Sequence, residues 1–369
     1  MPDPLTRGVT VRNRLLTERF CPGYVFRRNS QSCTWKSVRI MRMAAQALNA
    51  YRLSEPEAEK LGELSSLAAH LSDSIPIVLS GLLLDLPEGM RKTVLDFGAD
   101  VESQGFCLLR GIPVGELPKT PRSHEAHILD GHPTNGTLML VADLLGSLTG
   151  YQDEKAGALF HDVHPVHGEE TRIENSGSVA FDFHTENVHH PLRPDYLGLL
   201  CLRQDHEQTA ATRVSSVRDA LPLLTEDEVA ELRKPQFHSL YPTSFARNIP
   251  GPRPSAGPHP VVFGPADRPL MRFNSHNTQT DDPRARAALR ALSSALERVC
   301  RDLVLAPGDL VVLDNHVVVH GRTAFTPRYD GQDRWLRRFY SLRSVPLWAQ
   351  RMMRHPRVLP AMTEIRGVV

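Results

Sequence analysis

From residue 178 onward the chain is written in short runs: SVAFDFH, YLGLLCLRQ, QFHSLYP, PVVFG, PLMRFN, GDLVVLDN, VVVHGR and RWLRRFYSL. Most are rich in β-branched or aromatic residues, and Gly, Pro and Asn-Asp clusters separate them, which is the pattern of strands joined by turns. One helix interrupts: Leu289, Leu292, Leu296, Val299 and Leu303 recur at helical spacing. The text before residue 150 differs. LSEPEAEKLGELSSLAAHL opens on Ser54 with Glu57 three residues on, a capping-box start. GTLMLVADLLGSLTGY has helical periodicity and is expected to end at Gly150, whereas GFCLLRGIPV reads as a short buried strand. Helices followed by many short strands predict an α+β fold, with a helical layer packed on a double-sheet β-roll that encloses a cavity. Periodicity alone leaves other α+β folds open. NIPGPRPSAGPHP, rich in Pro and Gly, is expected to be a loop and a mobile flap.

The 369 residues carry 41% hydrophobic side chains and a net charge of +1, ordinary for a globular chain and no invitation to nucleic acid or a membrane surface. No apolar run is long enough to span a bilayer. The five cysteines are widely spaced, with no C-x-x-C, which excludes a disulfide framework or zinc ribbon and points to the cytoplasm. Cys107 and Cys201 sit in apolar runs and are expected to be buried. Residues 1–43 hold nine Arg or Lys against two acids and no apolar segment of the secretory kind. They are read as a disordered extension, or as text upstream of a start at Met41 or Met43. Residues 44–369 are read as a single domain, helical over 44–150, with the β-roll over about 95–345.

In AFDFHTENVHH an apolar strand ends in His184, with Glu186 two residues on. Side chains two apart on a strand face the same way, so a nitrogen and an oxygen can reach one metal. The best third ligand is His320 in GDLVVLDNHVVVHGR. Two histidines and one carboxylate on one face leave positions open, which suits non-haem Fe(II). The signal is diluted by seventeen histidines and by a second H-x-E at His167 and Glu169. The stretch HDVHPVHGEE around that second copy, with His161, His164 and His167, is read as a solvated loop with no strand before it. Fourteen residues beyond His320 stands Arg334, a cation suited to the far carboxylate of 2-oxoglutarate. By parity Arg334, Leu336, Arg338 and Tyr340 share one strand face, and Trp335, Arg337 and Phe339 the other. Inward arginines are costly unless each meets an anion; the alternative is that the arginine face is solvated.

The segments FHTENVHHPLRPDYLGLLCLRQDHEQTAATRVSSVRDALPLL and DNHVVVHGRTAFTPRYDGQDRWLRRFY together resemble the clavaminate-synthase-like Fe(II)/2-oxoglutarate oxygenases. The nearest subgroup looks like the arginine and asparagine β-hydroxylases of nonribosomal-peptide antibiotic pathways. The resemblance implies a double-stranded β-helix, or jelly roll, with flanking helices. It implies metal ligands at His184, Glu186 and His320, and cosubstrate contacts at Arg334 and Thr212. It places the substrate α-carboxylate on Arg338, a substrate-amine contact near Glu154 shared with Glu186, and a polar contact at Asn175. The implied reaction is hydroxylation of an unactivated carbon, C3, of an L-amino acid such as arginine, citrulline or asparagine, free or carrier-bound. O₂ and 2-oxoglutarate are consumed and succinate and CO₂ released. Desaturation or ring closure, a zinc hydrolase, and a non-catalytic metal-binding β-roll are the alternatives. The chain departs from the pattern in MRFNSHN, where arginine-using members carry acids and this one carries Arg272 and Asn274. A substrate guanidinium would meet a like charge there. A neutral amide or ureido side chain suits Asn274, and an acidic one suits Arg272, unless Asp281 or Asp282 supplies the missing countercharge.

Overall fold

In the computed structural model, the structure describes residues 50–365 apart from 72–75, 125–127, 173–176 and 248. The basic segment 1–43 and Asn175 lie outside the described residues. The fold mixes helices and sheets. A seven-stranded major sheet runs in the order Ala50–Arg52, Phe106–Arg110, Leu310–Asp314, Tyr196–Arg203, Trp335–Leu342, Ser147–Leu148, with Phe160–Val163 also paired to Trp335–Leu342. A four-stranded antiparallel minor sheet runs Arg301–Leu303, Thr212–Ser216, Val318–Arg322, Phe181–His184. From residue 181 the chain alternates between them: minor, major, minor, then, after an insertion over 217–300, minor, major, minor, major.

Strand parity sorts the side chains into layers. On Tyr196–Arg203, Leu197, Leu199 and Cys201 join Val214 and Val318 of the minor sheet in a core shared by the two sheets. Leu200 and Leu202 point the other way, into a core built with the helices Glu55–His70, Glu88–Ala99 and Pro133–Leu145. The outer face of the minor sheet is covered by the insertion, where Leu292 and Leu296 of the helix Pro283–Arg298 pack with Phe183 and Val319. Each such aliphatic side chain contributes roughly 1.5–3 kcal/mol by leaving water.

The capping box forms as expected: Ser54 N–H donates to Glu57 Oε2 at 2.8 Å at the head of the Glu55–His70 helix. Cys107 and Cys201 are buried and free, and burial pushes both thiols up to about 12. Four expectations need correction. The helix from Pro133 ends at Leu145, not Gly150, because Gly146 passes so close to Leu342 that a Cβ would lie 2.1 Å from its carbonyl oxygen. The helix through Leu292 stops at Arg298, so Leu303 lies on a strand despite its helical spacing. The second half of the expected flap, Ser255–His259, is a strand paired with Phe237–Leu240. Phe160–Val163 is a strand, not loop, and it carries His161 into the interior. Among the described residues no helix is long and apolar enough to cross a membrane.

Candidate functional site

His184 and His320 are cross-strand partners in the antiparallel pair Phe181–His184 and Val318–Arg322, so their rings lie side by side, 4.2 Å between centroids. The chain leaves the strand after His184 and is re-anchored at Thr185, whose N–H donates to the Phe273 carbonyl at 2.7 Å. Glu186 is then fixed from below by Asn315. That amide accepts the Glu186 N–H at 2.7 Å and donates to the carbonyls of Glu186 (3.1 Å) and Pro194 (2.8 Å). Asn187 takes a left-handed conformation, φ +47°, which turns the chain back, a geometry that asparagine tolerates better than most residues. As a result Glu186 Oε2 stands 3.9 Å from His184 Nε2 and 3.4 Å from His320 Nε2, with all three residues buried. His184 Nδ1 donates to the Asp182 carbonyl at 3.0 Å, which leaves the Nε2 lone pair turned toward Glu186. Burial, with His320 beside it, pushes the His184 imidazole down to about 3, so it is neutral. Burial alone would raise the Glu186 carboxyl, but Arg338 and both histidines outweigh it and hold it well below its usual range. Two imidazoles and an ionised carboxylate, converging in a buried spot, are the ligand set of an open divalent-metal site.

Arg334 and Thr212, expected at the cosubstrate, do come together: Arg334 Nη2 donates to Thr212 Oγ1 at 3.3 Å, across the two sheets. Thr212 pairs with Arg322, and Val214 with His320, so all four share the metal's face of the minor sheet. Arg322 was missed from sequence, although it stands two residues beyond His320 and therefore on the same face. Both arginines are buried, their guanidiniums flank the Phe325 ring, and neither has a carboxylate partner among the described residues. Burial, with Arg334 nearby, pushes Arg322 down to about 9, and burial lowers Arg334 too. Two buried cations without countercharge form a pocket suited to an anion.

The strand Trp335–Leu342 is buried along its whole length, so its arginines are not a solvated face. Arg337 points into the helical core and is neutralised there by Asp162 (2.6 Å) and Asn135 (2.7 Å). Arg338 points between the sheets. Its Nη1 donates to Glu186 Oε2 at 3.2 Å and its Nη2 to Glu154 Oε1 at 2.7 Å. Tyr340 Oη (3.1 Å) and Asn187 Nδ2 (3.4 Å) also donate to Glu154. Burial raises the Glu154 carboxyl, but His161 and Arg338 prevail and lower it to about 2. His161, the second residue missed, sets Nε2 3.0 Å from the Ala158 carbonyl and Nδ1 2.9 Å from Arg338 Nη2 and 3.3 Å from Glu154 Oε1. The period-two burial of FHDV was its signal, hidden by the polar text around it. Asn274 bridges His184 in antiparallel fashion, so the insertion 217–300 returns to the metal's face, and Arg272 lies two residues back on the same side.

The model of the family described as taurine catabolism dioxygenase TauD, TfdA matches residues 84–340. The chain is 36% identical over 288 residues to clavaminate synthase 2 of Streptomyces clavuligerus, covering 75% of this chain and 88% of that one. It is 40% identical over 258 residues to the L-asparagine oxygenase of Streptomyces coelicolor, covering 69% and 76% respectively. Among solved structures it is similar to asparagine oxygenase in complex with Fe(II), (2S,3S)-3-hydroxyasparagine and succinate. The TM-score is 0.76 at 34% identity, over 85% of this chain and 99% of that one.

Proposed function

The chain belongs to the TauD/TfdA family of dioxygenases, and from that premise we propose that it hydroxylates an unactivated carbon, C3, of an L-amino acid such as arginine, citrulline or asparagine. Succinate and CO₂ are the co-products, and the role is in specialised-metabolite biosynthesis. It is a 2-oxoglutarate-dependent oxygenase. The alternation of strands between two sheets supports reading the core as a double-stranded β-helix, with residues 44–369 as one oxygenase domain working in the cytoplasm.

The donor set fits iron: His184, Glu186 and His320 would hold Fe(II), which with 2-oxoglutarate and O₂ supplies the oxidising power for a C–H bond. Arg334, oriented by Thr212 and joined by Arg322, receives the distal carboxylate of 2-oxoglutarate, the anion that those cations lack in the protein alone. Arg338 takes the substrate α-carboxylate through its Nε, a buried donor without a partner. Glu154, with the second oxygen of Glu186, takes the α-amine. His161 and Tyr340 hold Arg338 and Glu154 in place. Asn175, outside the described residues, is proposed as a further polar contact, and Arg272 and Asn274 face the substrate side chain. Burial of His184, Glu186, His320, Arg334 and Arg338 between the two sheets keeps water from the reacting carbon.

The observation that carries this reading is the buried convergence of His184, Glu186 and His320 beside two arginines that no described carboxylate neutralises. Anaerobic protein given Fe(II) and 2-oxoglutarate should develop the visible charge-transfer band of a chelated keto acid; no band defeats the reading. With O₂ and a panel of free amino acids, succinate release should accompany a product heavier by one oxygen atom. A product lighter by two hydrogens would replace hydroxylation with desaturation or ring closure. An intact band with turnover only of amino acids loaded on a carrier protein would move the substrate from free to bound.

A further inference from the structure

The insertion 217–300 brings two side chains to the metal's face of the minor sheet, and both offer hydrogen-bond donors. Asn274 sits opposite His184, so their side chains lie on one face. Its Oδ1 is already committed, accepting the backbone N–H groups of His276 and Asn277 at 2.9 Å each. What the amide has left for a ligand is its NH₂ group, which can only donate. Arg272 is half-buried. Its Nε donates to the Val188 carbonyl at 2.6 Å, and no carboxylate pairs with it among the described residues. The buried His189, which feels the Arg272 charge, is a histidine and supplies no negative countercharge.

The acids that might reverse this are engaged elsewhere. Glu154 and Glu186 answer Arg338. Asp282 caps the helix Pro283–Arg298, accepting from the N–H groups of Arg284 and Ala285 at 2.8 Å each. Asp182 faces His276 at 3.1 Å. A guanidinium or ammonium entering here would meet donors and a like charge. An amide would satisfy the donors but leave Arg272 without an anion. A carboxylate satisfies both.

We propose that the substrate is an L-amino acid whose side chain ends in a carboxylate, aspartate or glutamate, with Arg272 as the residue that selects it and Asn274 donating to the same group. This rests on the oxygenase reading above and, within its class of L-amino acids, puts acidic side chains in place of the cationic, ureido and amide ones named there. Selection works by exclusion as well as attraction, since cationic side chains are repelled by the group that binds acids.

The test titrates L-aspartate, L-glutamate, L-asparagine, L-glutamine, L-arginine and L-lysine into the anaerobic Fe(II)·2-oxoglutarate protein, reading the perturbation of the visible band. It then compares succinate release under O₂. One of the two acids should bind about a hundredfold tighter than its amide and than either cationic amino acid, the scale of losing one member of a desolvated charge pair. Arg272→Gln should keep the unliganded band and lose that advantage. Arg272→Lys, which keeps charge but not the fork, should lose part of it. Faster turnover of arginine or lysine, an amide preferred over its acid, no band shift with any of the six, or unchanged acid affinity in Arg272→Gln each overturns the proposal. Failure of the band before any amino acid is added defeats the oxygenase reading instead.

Discussion

Arg334 and Arg322 are buried cations held mainly by an uncharged hydroxyl and a carbonyl, Thr212 and Val179. Such a group destabilises the empty protein and is retained for what it binds. Arg334→Leu should therefore raise the melting temperature of the metal-free protein while weakening 2-oxoglutarate binding by about a hundredfold, measured by scanning calorimetry and by titration of the band. A lowered melting temperature would mean that Arg334 serves the fold. Asn315 is the opposite case: it is fully buried and its amide answers three backbone groups around Glu186. Asn315→Ala should cost about 2–4 kcal/mol in chemical unfolding, since each orphaned buried group costs about 1–3 kcal/mol, and should weaken iron binding along with it. The convergence of His184, Glu186 and His320 was legible in the sequence, but parity accounts only for the two histidines: Glu186 lies beyond the strand end and is turned in by Asn315 and Asn187. His161 was not legible, because three of the ten residues of HDVHPVHGEE are acids and three are histidines, and a buried histidine looks like a solvated one until its neighbours are known.

At the scale of elements, most strands were legible, Phe160–Val163 and Ser255–His259 excepted, and the ends of the helices were not. Leu303 falls on the helical repeat of Leu292 and Leu296 by coincidence, and Gly146 ends its helix for a reason that lies in another strand, at Leu342. The helical layer depends on a similar approach. Glu55–His70 crosses Pro133–Leu145 at Gly136, where a Cβ would come within 1.9 Å of the Ser65 carbonyl oxygen, and the buried Ser65 and Thr137 hydroxyls meet at 2.7 Å alongside. The two helices cannot keep this spacing with any side chain at 136. Gly136→Ala should destabilise by about 3 kcal/mol or more in a urea titration, despite the higher helix propensity of alanine. A stabilised variant would show that the helices separate freely.

At the scale of the molecule, stability depends on pH through histidines that are buried neutral. Burial, outweighing the Leu192 contact that raises it, sets His190 down to about 3, and burial with Arg272 sets His259 down to about 4. Both stay neutral in the fold, while the same residues in the unfolded chain take up protons near 6.5. Their contribution is therefore complete above that value and is lost as pH falls toward 4. With two such groups, stability should decline by about 2.7 kcal/mol per pH unit over that window, ahead of most carboxylates. Melting curves at pH 7, 6 and 5 test this, and a flat series would show that the two rings charge without cost. The same scale shows how the molecule divides its labour. The proposed metal and cosubstrate residues sit on or beside the ends of the alternating strands, whereas Arg272 and Asn274, the proposed selectors of the side chain, arrive on the insertion 217–300, which leaves the minor sheet after Ser216 and rejoins it at Arg301. Two halves of one enzyme can therefore be inherited separately. A lineage can recombine or redraft that single cassette and change its diet, while the oxidising machinery passes down unaltered.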